Sequence, residues 1–178
     1  MNKIYAILVW LLFCYPVFAD NRTSTGIEVD ALPWLTGGYY LSGWYGEKQL
    51  KYRAVIANVN VPDSFVDEGF KDKEIQAYAI IVDYFPKADF AGMWYGAGFE
   101  IWQTSITNEA DNSRAEYDNT VFTVGLGYVW RLSESVYIHP WAALHMIIDG
   151  EQDIRVGNKT YQQDTITPSG SIKLGWSF

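Results

Sequence analysis

The sequence predicts an all-β fold, an antiparallel up-and-down transmembrane β-barrel of about eight strands. Three observations predict it. The chain opens with an export signal. Behind it run extended segments of about ten residues whose two faces alternate between apolar and small or polar. Aromatic residues make up 17% of the 178 residues, with 8 Trp and 13 Tyr, more than a core of this size needs. Trp and Tyr favour the level of the lipid headgroups, where one end of the ring is in an apolar medium and the other is wet.

Residues 1–19 read as a cleaved signal peptide. Lys3 gives the positive start, Ile4 to Phe13 the apolar stretch, and Val17-Phe18-Ala19 the small residues before the cut. That stretch is too short to span roughly 30 Å of hydrocarbon as a helix. The single cysteine, Cys14, lies inside the signal and follows Phe13, not the small residue a lipidation site needs, so the exported chain has no disulfide and no thiolate metal site. Loss of Lys3 leaves 12 basic residues against 21 acidic ones, a net charge of −9. A balance of that sign excludes a nucleic-acid partner, whose phosphates require a basic face. No cofactor and no metal site is expected.

Residues 37–178 form the barrel in this reading. The clearest strand is Val121 to Leu132. Phe122, Val124, Leu126, Tyr128 and Trp130 share a face predicted to meet lipid, and Val121, Thr123, Gly125, Gly127, Val129 and Arg131 share the lumen face. Thr167 to Phe178 repeats the pattern, with Ile172, Leu174, Trp176 and Phe178 outward and Ser169, Ser171, Lys173, Gly175 and Ser177 inward. Phe90 to Ser105 places Met93, Tyr95, Ala97, Phe99 and Ile101 outward and Trp94, Gly96, Gly98, Glu100 and Trp102 inward. In Val136 to Ile148 the inward set is Tyr137, His139, Trp141, Ala143 and His145, and Pro140, which cannot donate a ladder bond, predicts a bulge. Glu74 to Phe85 turns Asp83 inward. Lys51 to Val61 is ambiguous, because Arg53 pulls one face inward and Asn58 and Asn60 pull the other.

Connections alternate in length. Gly46 to Gln49, Pro86 to Asp89 and Ser133 to Ser135 are tight, whereas Pro62 to Lys73, Thr107 to Thr120 and Asp149 to Ile166 are long and polar. Short turns at one end and long loops at the other are the arrangement of membrane barrels. Seven strands fall between Gly37 and Phe178, and bacterial barrels use even numbers. The N-terminal segment, residues 20–36, therefore supplies either the first strand, at about Ser24 to Leu32, or a short helix around Asp30 to Tyr40.

Signal, alternating strands, asymmetric connections and the terminal Phe178 together resemble the small bacterial outer-membrane barrels that include the OmpA transmembrane domain, OmpX and OmpW. The resemblance is architectural and covers nearly the whole exported chain. It implies export through the periplasm to the outer membrane of a Gram-negative cell, a monomer, and contact with outer-membrane lipid and lipopolysaccharide. Trp176 and Phe178 are similar to the C-terminal signal such barrels present to their assembly machinery. The family hosts anchors, adhesins, porin-like narrow channels and lipid-modifying enzymes, so the resemblance alone does not select an activity.

Residues that could carry chemistry are the inward polar set Arg53, Asp83, Glu100, Arg131, His139, His145 and Lys173, with Trp94, Trp102 and Trp141. Mixed charges in a narrow lumen must pair, since an unpaired buried charge is costly. Asp83 with Arg53 is the pair the pattern offers. The predicted role is structural or surface-interacting, with a side-chain-filled lumen. The alternative is a narrow channel or transporter for a small, partly apolar solute, for which Gly96, Gly98, Gly125 and Gly127 would open space. A lipid-modifying enzyme is the third reading. The His-x-Ser pattern that lipid A deacylases of this architecture resemble is absent, because Trp141 and Ile147 follow the two histidines, and no catalytic residue is assigned. The acidic loops, such as Asp63, Asp67, Glu68 and Asp72, read as solvated surface.

Overall fold

The computed structural model describes residues 23–178; residues 1–19, read above as a signal peptide, lie outside the described residues. In chain order the elements are β1 (Thr23–Asp30), α1 (Ala31–Leu35), β2 (Tyr39–Glu47), β3 (Leu50–Asn60), β4 (Phe70–Tyr84), β5 (Gly92–Asn108), β6 (Arg114–Arg131), β7 (Val136–Gly150), β8 (Asp153–Val156), β9 (Lys159–Gln162) and β10 (Ile166–Ser177). Eight of the strands close into an antiparallel barrel, each paired with its sequence neighbour and β1 pairing β10, while β8 and β9 form a separate hairpin. Closure gives each of the eight strands a partner on both sides, the condition for crossing hydrocarbon without unsatisfied edge amides, save along one stretch of β10.

The N-terminal segment is both of the readings its sequence allows. β1 supplies the eighth strand, and α1 follows at once, its start capped by Asp30, which accepts from the Leu32 N–H at 3.0 Å. The burial of β3 resolves its ambiguity: Lys51, Arg53, Val55 and Ala57 point inward along one unbroken face. Asn58 and Asn60 sit at the far end of the strand, where Asn58 bonds Glu74 and Asn60 bonds the Thr36 carbonyl.

Pro140 produces no bulge. The β7–β10 register runs unbroken from Met146 to Val136, with Pro140 opposite Ile172. The Ile147 N–H donates to Thr165 on the β10 side, so odd-numbered β7 residues turn their amides toward β10 and Pro140 turns its ring nitrogen toward β6. There the ladder skips Tyr128 and Val129 and resumes in the same register. The register shift on β6 lies instead between Thr120 and Val121, level with Ile148.

The tight turns, the start of β1 and the end of β10 share one end of the barrel. At the other end two predicted loops are largely strand. β5 and β6 continue their pairing out to Thr107 and Arg114, leaving a short hairpin tip, and Asp149 to Ile166 contains the β8–β9 hairpin. Phe70, Ile106, Tyr117, Ile154, Val156 and Tyr161 bury one another there, with Phe70 and Tyr161 edge to face. Polarity averaged over those stretches conceals this second small core, because its apolar residues alternate with solvated ones.

One part of the wall has no strand. β1 pairs β10 only from Lys173 to Ser177, so β10 from Ile166 to Ile172 has β7 on one side and a notch on the other. α1 packs there against β10, β2 and β3. Pro168 lies in this run. Ser177 donates toward the β7 side and Phe178 toward β1, so even-numbered β10 amides face β1, and the nitrogen of Pro168 faces the notch, where no ladder bond is lost.

Candidate functional site: the lumen

The lumen is built in layers. At the tight-turn end Phe85, Phe90, Trp44, Trp94, Val129 and Tyr137 bury one another. Phe90 reaches this floor from the turn after β4, with φ of 52°, and packs edge to face on Phe85. Gly127 and Gly96 leave room for the Trp94 ring. A Cβ at Gly127 would come 2.7 Å from the Trp94 ring nitrogen, and one at Gly96 would come 2.4 Å from an Asp83 oxygen. A Cβ at Gly98 would strike Ile81, and one at Gly125 would press on Ala143. The four glycines make room for protein side chains.

Above the floor lies an ionic layer. Three carboxylates, Glu28, Asp30 and Asp83, and three cations, Lys51, Arg53 and Lys173, are all at most 5% exposed. The equal count leaves the layer neutral, as a low-dielectric interior requires. Arg53 grips Asp83 through two bonds, Nε to Oδ2 at 2.6 Å and Nη2 to Oδ1 at 2.9 Å. Glu28 accepts from Lys51, from the Tyr137 hydroxyl at 2.8 Å and from Ser42 at 3.4 Å, with His139 Nδ1 at 3.1 Å. Asp30 accepts from Ser171 and, at 2.8 Å, from the Trp141 indole, so one side chain caps α1 and ties it across the lumen. The Lys173 ammonium stacks between Trp141 and Tyr40, at 4.5 and 5.0 Å from the ring centres.

The outer half of the lumen holds a separate polar group. Glu100 on β5 accepts from Trp102 at 2.7 Å and from Thr123 on β6. His145 on β7 places Nδ1 at 3.1 Å from the same carboxylate and Nε2 at 2.6 Å from the Ser169 hydroxyl on β10. Glu100 and His145 are buried and Ser169 is half-buried.

Of the seven polar residues read as lumen-lining, Arg53, Asp83, Glu100, His139, His145 and Lys173 are buried inside. Arg131 is a correction. It is exposed at the tight-turn rim and donates to the Asp89 and Glu134 carbonyls, because its strand has already reached the end of the barrel. Sequence reasoning missed Glu28, Asp30 and Lys51, and it placed Ser169 inward without giving it a role. The first two lie on a strand too short to show a firm alternation, Lys51 stands beside a turn where a lysine is ordinarily solvated, and Ser169 is one of several small residues on its face.

On the outer surface Leu126, Tyr128, Trp130, Ile172 and Leu174 are exposed, and Phe122, Val124 and Trp176 are half-buried. Phe178 is exposed, its carbonyl accepting from Ser24 and its N–H donating to Thr25. Among the described residues no three His, Cys, Asp or Glu side chains converge as a metal would need, and no helix is long and apolar enough to cross a membrane.

No family model and no curated protein sequence matches the chain. Solved structures do. The chain is similar to the N-terminal β-barrel domain of Pseudomonas aeruginosa OprF, with a TM-score of 0.54 and 12% identity over 89% of this chain and 98% of that one. It is similar also to a major outer membrane protein from Thermus thermophilus, with a TM-score of 0.59 and 11% identity over 88% of this chain and all of the other, 100%. The fold is that of the small outer-membrane β-barrels.

Proposed function

We infer that this protein is a monomeric barrel of the bacterial outer membrane with a closed lumen, which holds a folded cap at the cell surface. The observation that carries the reading is the neutral ionic layer on its aromatic floor: Glu28, Lys51, Arg53, Asp83 and Lys173 fill the cross-section, and Phe85 and Phe90 seal the end. An eight-stranded barrel is just wide enough for side chains to fill it. Exposed apolar residues such as Leu126, Ile172 and Phe99 around the wall suit hydrocarbon and not water. The tight turns then face the periplasm, and the β5–β6 extension with β8–β9 stands outside. In this reading the wall contacts lipid and lipopolysaccharide, and β10, ending in Trp176 and Phe178, is the strand the assembly machinery takes up.

The test is conductance. Purified full-length protein in planar bilayers is expected to give no steady single-channel steps, and reproducible steps would favour the narrow channel instead. Fractionation with a gel run before and after boiling tests location, since a folded barrel in the outer-membrane fraction changes mobility on heating.

A further inference from the structure

We propose that Ser169, His145 and Glu100 form a serine-hydrolase triad in the outer half of the lumen, directed at carboxylic esters of membrane-lipid acyl chains. The three residues come from β10, β7 and β5, and none belongs to the ionic layer that fills the lumen below. The direction of the chain is that of a nucleophile relay: a buried carboxylate at one end, a buried imidazole between, and a half-buried hydroxyl at the other.

The proton positions follow from the partners. Thr123 donates its one hydroxyl hydrogen to Glu100, so Nδ1 of His145, 2.8 Å from the Thr123 oxygen and 3.1 Å from the carboxylate, faces two acceptors and carries a hydrogen. With one hydrogen on the ring, at Nδ1, Nε2 is the acceptor for the Ser169 hydroxyl at 2.6 Å. This is the protonation a general base needs before it takes the proton of an attacking hydroxyl. Glu100 is itself fixed by Trp102 on one oxygen and Thr123 on the other, and the Trp102 ring lies 5.1 Å from that of His145. Glu100 acts through His145 and is a positioning residue.

The notch supplies the remaining parts. Ser169 lies on the run of β10 that lacks a partner strand on the β1 side. By the alternation that turns even-numbered amides toward β1, the N–H of Gly170, the residue after the nucleophile, faces the notch, where no strand is present to accept it. It is the donor available to a developing oxyanion. On the outer surface beside the notch is a crevice of about 310 Å³, lined by Val29, Ala31, Trp34, Ile138, Ile172 and Leu174 together with Asp30 and Lys173 of the ionic layer. Its exposed surface is mostly apolar, it begins three residues along β10 from Ser169, and in the orientation proposed above it opens toward acyl chains, which points to a lipid ester as the substrate.

In the reaction Ser169 Oγ bonds to the ester carbonyl carbon as His145 Nε2 takes the hydroxyl proton. The carbon–oxygen bond to the alcohol breaks, and His145 returns the proton to the departing oxygen. Water then attacks the acyl-serine, giving its proton to His145. The serine–acyl bond breaks, Ser169 regains the proton, and the fatty acid leaves. The sum is ester plus water to acid plus alcohol, with no other reactant.

The test uses the full-length exported chain folded in detergent and in phosphatidylethanolamine vesicles, folding being checked by heat-modifiable gel mobility. An alkyl fluorophosphonate is expected to add to Ser169, located by mass spectrometry of the wild type, and Ser171→Ala is expected to leave that labelling unchanged. Vesicle lipid is expected to release fatty acid, with Ser169→Ala lowering the rate about 100-fold or more. Glu100→Gln is expected to lower kcat while leaving KM near the wild-type value. A folded wild type that gains no adduct at Ser169 and releases no more fatty acid than Ser169→Ala overturns the triad. An adduct and hydrolysis of a soluble p-nitrophenyl ester without any release from vesicles overturns the assignment of a lipid substrate. Neither result bears on conductance, so failure here is distinguishable from failure of the closed-lumen reading.

Discussion

Removal of the Glu28 carboxylate is the sharpest perturbation of the lumen. Glu28 has no exposed surface and gathers Lys51, Tyr137, His139 and Ser42 around two oxygens. In Glu28→Ala the Lys51 ammonium, only 1% exposed, loses its ion-pair partner, and the Tyr137 hydroxyl loses its acceptor. Breaking one side of a buried pair costs about 3–5 kcal/mol, because the other charge stays behind uncompensated. An exposed pair would cost at most about 1 kcal/mol. The assay is urea unfolding in vesicles, followed by tryptophan fluorescence and by gel mobility. The double variant Glu28→Leu, Lys51→Met removes both charges and keeps apolar volume, so it is expected to recover most of the loss. The difference between the double variant and the sum of Glu28→Leu and Lys51→Met made singly measures the coupling. A cost of less than about 1 kcal/mol for Glu28→Ala, or single losses that simply add, would refute the account of the layer as a coupled network.

Three further outcomes are expected. Leu126→Arg puts a cation on the exposed outer face of β6 and should cost about 2–4 kcal/mol in the same unfolding assay if that face meets mid-membrane hydrocarbon. Gly127→Val forces a branched side chain against Trp94 and the Pro140 carbonyl and should cost about 1–3 kcal/mol by overpacking, with a changed near-ultraviolet dichroism from the displaced indole. At the β5–β6 hairpin tip the Ser113 backbone N–H, donating to Asp111, holds that carboxyl below its ordinary value. Its contribution to the turn is therefore present above the ordinary Asp range, about 3.9, and is lost as pH falls through the lowered value, which a titration of the Ser113 amide resonance reads. Asp111→Asn keeps the acceptor oxygen, so it should abolish that titration while leaving the unfolding midpoint of the barrel where it is in the wild type.

The features legible along the chain are those that depend on one residue and its immediate surroundings. Alternate residues of a strand meet different media, so Phe122 to Trp130 and Ile172 to Trp176 declare their faces, and Asp83, Glu100 and His145 declare theirs, whereas the face of Arg53 was settled only by the burial of β3. The tight turns are readable for the same reason. Which inward residues meet is settled only in the folded barrel, because it depends on closure and on the stagger of strands far apart in the chain. His145 stands opposite Thr123 and Thr167, and Ser169 is two residues along from the latter, so the inward faces together with the strand offsets would have brought Ser169, His145 and Glu100 into view. A motif search along one strand cannot. The same holds for Glu28 and Lys51, which meet because β1 and β3 flank β2 and Lys51 reaches along the inner face to Glu28, and for the notch, which exists because β1 stops at Asp30 while β10 continues. Alternation is enforced locally by the solvent on each side of the wall, whereas pairing across the lumen is enforced only once the barrel is shut.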